Sequence, residues 1–198
     1  MRSRLRQAGF TMLEILVSLL ILVIGLLGLL GLQAQTTVAE FESYQRGQAL
    51  ILVQDMADRI NANRKASLCY VVTTDAANGS PSLGSGTAGT SCVAATGTTV
   101  TRGMADQDLN DWDQALKGAA ETSAGGTKVG ALLNARGCIT QNAATGDYRV
   151  AIAWQGMSPT IAPTAVDANA TCGRNQYGSE PQRREISITF RIANLTGA

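Results

Sequence analysis

Glu14 is a lone carboxylate inside a long apolar run, and the residues around it are the most specific chemistry in the chain. Phe10 to Leu32 spans 23 residues. A helix that crosses a bilayer takes roughly 20. An ionised carboxylate within such a helix costs on the order of 2.5–3.5 kcal/mol on insertion scales, so it is a functional candidate by default. The plain alternative is a side chain that snorkels to the membrane surface near the helix end. Arg2, Arg4 and Arg6 precede the run, and Gly9 sits just before Phe10. By the positive-inside rule the basic end stays cytoplasmic and the rest of the chain faces outward.

The second group with chemistry is the cysteines, Cys69, Cys92, Cys138 and Cys172. None forms a Cys-x-x-Cys pair, which argues against zinc. All four follow the apolar run, on the side expected to be oxidising. An even count in an exported domain reads as disulfides. Three pairings are possible, and we favour the sequential one, Cys69–Cys92 with Cys138–Cys172. Each would close a loop of a few tens of residues, worth about 3 kcal/mol in the chain-entropy model.

Histidine is absent. That removes a Ser-His-Asp triad, a Cys-His pair and any His metal ligand. We expect no catalytic residues, no cofactor and no metal, and so no enzyme. Asp106 to Asp113 looks like a calcium loop but fails the pattern: counted from Asp106, the sixth position is Asp111 rather than Gly and the twelfth is Lys117 rather than Glu. The charges total 16 basic and 15 acidic; without the three early arginines, 13 basic residues face 15 acidic. No basic patch points to nucleic acid.

These residues need elements to hold them. Val38, Phe41, Leu50, Val53, Met56 or Ala57, and Ile60 recur at three- and four-residue steps, an amphipathic stripe that continues the apolar run. No proline appears before Pro81. One helix from about Phe10 to about Asn63 follows, roughly 80 Å long at 1.5 Å per residue. Gly25, Gly28 and Gly31 punctuate its apolar half, where glycines allow close helix approach. Thr73 to Gly103 is rich in Gly, Ser, Thr and Ala and reads as a long surface loop tied by Cys92, with room for short strands. Asp106 or Asp108 then caps a short helix whose Leu109, Trp112 and Leu116 pack inward. Tyr148 to Gln155 and Glu185 to Ile192 alternate with period two, as half-buried antiparallel strands do. Cys69 to Thr74 and Arg136 to Thr140 are weaker strand candidates.

Gly9-Phe10-Thr11-Met12-Leu13-Glu14 and the apolar run behind it resemble the class III signal of type IV prepilins and pseudopilins. Met12 stands where that family usually has Leu. A secretory signal peptide would instead place its cleavage site after the apolar region. The resemblance implies that prepilin peptidase cuts between Gly9 and Phe10, that Phe10 becomes the N-methylated N-terminus, and that Glu14 serves an assembly salt bridge with the Phe10 amine of a neighbour. Further segments are similar to PilV-type minor pilins, the type IV pilus modification proteins. They are Ile24 to Leu29, the Asp55-Met56-x-x-Arg59-Ile60-x-x-Asn63 pattern, Asp108-Leu109-x-x-Trp112, Tyr148 to Trp154, Cys172-Gly173 and Arg183-Arg184.

What the resemblance implies is an α+β, type IV pilin-like fold: a long N-terminal helix packed on a small antiparallel sheet. The expected divisions are a cleaved leader 1–9, a transmembrane part 10–32, an amphipathic part 33–64 and a head 65–198. The implied role is a minor pilin in a tip or priming complex that supports pilus assembly, twitching motility and adhesion. Its partners would be the peptidase, other minor pilins, the major pilin, a tip adhesin and inner-membrane lipid. It would sit in the inner membrane as a single-pass protein with a periplasmic head, then pass into the pilus. The alternatives are a minor pseudopilin of type II secretion and, from a different class, a membrane-anchored binding or adhesin domain.

Overall fold

A single helix, α1 (Met12–Ala62), carries the apolar run and continues into the amphipathic stretch, as its unbroken helix-forming sequence requires. The computed structural model describes residues 10–92, 94, 96–119, 123–126 and 132–193. Thr11 starts α1, accepting the Glu14 backbone N–H on its hydroxyl at 3.3 Å and on its carbonyl at 3.1 Å. The chain divides into two compact units, residues 1–41 and 42–198. In the first, Leu13, Leu16, Leu20, Ile24 and Leu27 are all exposed. α1 is long and apolar enough to cross a membrane, by length and composition. The expected leader, 1–9, lies outside the described residues.

The second unit is built on a four-stranded antiparallel sheet, β1 (Leu83–Gly84), β2 (Arg136–Gln141), β3 (Asp147–Gln155) and β4 (Arg183–Arg191), in the order β1-β2-β3-β4. Val150 lies between Ile139 and Ile188, and Ile152 between Gly137 and Ile186. Their period of two puts Tyr148, Val150, Ile152 and Trp154 on one face. Val53, Met56 and Ile60 of α1 join that face in one buried cluster with Leu109, Trp112 and Leu116. The last three come from α2 (Thr99–Leu116). The family-like α+β architecture expected above is therefore present.

Several local readings need correction. Neither Asp106 nor Asp108 caps a short helix: both lie inside α2, whose 18 residues begin at Thr99 behind the N-cap Thr98. Thr98 and Thr101 form a reciprocal capping box there, with the Thr101 hydroxyl in place of the usual Glu or Gln. The loop read as Thr73 to Gly103 therefore stops short of Thr99 and also contains β1. Cys69 to Thr74 is not a strand. Arg64–Tyr70 is a 3-10 helix, and the backbone is extended only after it. Phe41 and Leu50, assigned to the apolar stripe, are exposed at 44% each, while Gln45 and Ala49 are buried in their place.

The outer face of the sheet also departs from a half-buried pattern. Ala151 and Ala153 point away from α1 yet are buried, clustered with Cys138, Cys172 and Tyr177. The segment between β3 and β4, which includes the short helix α3 (Pro163–Val166), folds back over that face. Gly137 is required on the other side, because a Cβ there would collide with the Trp112 ring and Leu116.

Candidate functional site

At the start of α1, Phe10 is 80% exposed and Met12 85%. Phe10, Glu14, Ser18 and Leu22 line one shallow apolar-walled depression. Glu14 is exposed, and Ser18 donates its hydroxyl to the Glu14 carbonyl at 2.7 Å. Among the described residues the Glu14 carboxylate has no ion pair. Phe10 lies just ahead of α1 and Glu14 in its first turn, four residues on. Gly9, the other half of the expected cleavage site, lies outside the described residues.

At the other end, α1 is clamped to α2. Arg59 bonds Asp55 at 2.9 Å within α1 and Asp108 at 2.9 Å across to α2. Tyr70 donates its hydroxyl to Asp108, and Asn63 donates to the Tyr70 hydroxyl at 3.2 Å and to the Thr101 carbonyl at 2.7 Å. Trp112 donates its indole N–H to the Leu52 carbonyl at 2.9 Å. Burial, with Asp108 beside it, pushes the Tyr70 hydroxyl well above the usual tyrosine range. The same two carboxylates raise Arg59 against its partial burial. So the two motif segments, Asp55 to Asn63 and Asp108 to Trp112, meet across one interface. Part-exposed ion pairs of this kind contribute about 1 kcal/mol each. A double-mutant cycle with Arg59→Met and Asp108→Asn should therefore give a coupling of about 1 kcal/mol. Denaturant unfolding of the full chain in detergent measures it, and additive effects would show that the pair contributes nothing.

The disulfides join Cys69 to Cys92 and Cys138 to Cys172, with Cα–Cα distances of 4.6 and 5.7 Å. The first ties the 3-10 helix to the segment before α2. The second ties β2 to the segment that covers the outer sheet face.

Below that bridge lies a charge network that sequence patterning did not reveal. Arg183 is fully buried and uses all five N–H groups, on Glu180, Glu185 and the carbonyls of Ala170 and Cys172. Full hydrogen bonding is what makes a buried guanidinium tolerable. Burial pushes the Glu185 carboxyl up to about 7, although Arg183 and Arg149 pull it down. The only sequence clue was Arg183-Arg184 beside Glu185 in an alternating strand. Among the described residues no group of three His, Cys, Asp or Glu side chains could hold a metal ion.

Two family models match the chain. Residues 31–110 match the Tt1218-like family, described as type IV pilin Tt1218, and residues 4–30 match the prokaryotic N-terminal methylation motif. No curated protein and no solved structure matched. Taken with the long apolar helix and the antiparallel sheet, the two matches support a type IV pilin that carries the N-terminal methylation motif.

Proposed function

We propose that this pilin is a minor subunit of the PilV type, part of a tip or priming complex that supports pilus assembly, twitching motility and adhesion. The observation that carries the reading is the α1–α2 clamp. The residues that resemble PilV-type minor pilins at the helix end, Arg59 and Asn63, are bonded to Asp108 and to the Thr101 carbonyl of α2. The quoted segments thus behave as one unit rather than as scattered similarities. In this reading, prepilin peptidase cuts between Gly9 and Phe10, the Phe10 amine is methylated, and the chain anchors in the inner membrane with its head outside. It then assembles with other minor pilins, the major pilin and a tip adhesin. The runner-up is a minor pseudopilin of type II secretion, which uses the same signal.

Removing the gene separates the two. We expect at least about a tenfold loss of surface pili and of twitching, restored by the wild-type chain, with protein secretion unchanged. Mature protein should appear at low abundance in sheared pili. Loss of secretion with normal piliation would replace this reading by the pseudopilin.

A further inference from the structure

β4 closes the sheet on one side, and its outer edge is open. Which groups it presents follows from the ladder. The Asp147 carbonyl accepts from Asn142 and the Gln155 N–H donates to Leu133, both at 2.9 Å, so these two ends of β3 turn their backbone away from β4. The alternate residues Tyr148, Val150, Ile152 and Trp154 therefore face β4 and bond Phe190, Ile188, Ile186 and Arg184. Glu185, Ser187, Thr189 and Arg191 are left to aim their N–H and C=O groups outward. Among the described residues none of those backbone groups has a hydrogen-bond partner.

Water can satisfy an exposed edge, but a sheet that must stay unpaired blunts it with lysine, proline, a bulge or a very short strand. The opposite edge follows that rule, since β1 has two residues. β4 does not. It runs for nine residues in unbroken register and holds neither lysine nor proline.

The space beside this edge is shaped as well. A groove of about 380 Å³ has Ile186 and Ser187 of β4 on one wall and Ile161, Pro163 and Val166 of the β3–β4 connection on the other. Ile161 is 74% exposed and Val166 81%, so the apolar wall lacks a cover. A hydrogen-bonding edge opposite apolar side chains is the arrangement that captures an extended peptide, backbone to edge and alternate side chains to the wall. Arg46 also lines the groove and has no ion pair among the described residues. A strand that carries a carboxylate matches that charge.

We propose that the open edge of β4 docks one extended strand of another pilin subunit, with apolar side chains against Ile161, Pro163 and Val166 and a carboxylate toward Arg46. The proposal rests on this chain being an assembling pilin subunit, and holds whichever system it serves. If gene deletion showed a pseudopilin, the strand would come from a neighbouring pseudopilin.

The test is photocrosslinking of the full chain in its native cells, with p-benzoylphenylalanine in place of Ser187 and the captured peptide read by mass spectrometry. The expected peptide comes from a different pilin subunit, is an alternating apolar strand and holds an Asp or Glu. Thr189→Pro removes an N–H that the β3 ladder does not use, a change edge strands tolerate. It should keep both disulfides and the melting temperature, yet lower capture about tenfold, through one lost hydrogen bond and the clash of its ring with the incoming strand. Thr189→Lys, which leaves the backbone whole, should act in the same direction. Arg46→Glu should lower capture about threefold by repelling the carboxylate. Capture of this chain's own β4, of a helical segment or of nothing overturns the proposal. So does undiminished capture in a folded Thr189→Pro or Thr189→Lys chain, or in Arg46→Glu.

Discussion

Gly9→Val leaves the protein at full length in the membrane, with the basic leader attached. The family signal carries glycine on the leader side of the cut, and a branched side chain there would not enter a site shaped for its absence. The apolar helix is untouched, so insertion should continue, and by the positive-inside rule Arg2, Arg4 and Arg6 would still keep the leader cytoplasmic. The cleaved fraction should fall at least about tenfold, since a branched side chain forced into a packed site commonly costs 1–3 kcal/mol or more. Intact mass measurement of membrane extracts reads this directly: the expected mutant product begins at Met1, and the proposed wild-type product begins at Phe10. Mature-length protein in the mutant would defeat the proposed cleavage site. In the uncleaved mutant no free Phe10 amine exists, so no methylation and no incorporation into pili should be seen.

The second large effect concerns Glu14. Once cleaved, the chain begins with a cationic amine at Phe10, four residues before Glu14. Both line one shallow depression at the start of α1, and the carboxylate has no ion pair among the described residues. In the proposed staggered assembly, Glu14 of one subunit would lie beside the Phe10 amine of its neighbour. Removing one partner of such a pair in a low-dielectric setting costs about 3–5 kcal/mol, because the other charge is left buried and unpaired. We therefore expect Glu14→Val to insert and to be cleaved normally, yet to enter pili at least about tenfold less than the wild type. Immunoblots of sheared pili against the membrane fraction separate these steps. Wild-type incorporation and twitching would rule out the salt bridge. Failure of cleavage would instead assign Glu14 to recognition by the peptidase.

The elements legible without a structure were those whose signal is local. The apolar run and the absence of proline define α1, because a helix satisfies its own backbone within four residues. Tyr148 to Trp154 and Ile186 to Phe190 announce β3 and β4 through a period of two, and Leu109, Trp112 and Leu116 announce the buried face of α2. The α2 start was misplaced because its cap is a pair of threonines inside a Thr-rich stretch, where one threonine looks like another.

Tertiary structure alone decided the rest. Arg59 and Asp108 are 49 positions apart, and only the packing of α2 on α1 brings their side chains within 2.9 Å. Ala151 and Ala153 carry an outward-facing pattern, yet a returning segment held by Cys138–Cys172 buries them. That same cover buries Glu185, which opens the alternating segment Glu185 to Ile192, between two arginines. Periodicity reports which face of its own element a residue occupies. What covers that face depends on chain segments far away in sequence, and no local pattern encodes it.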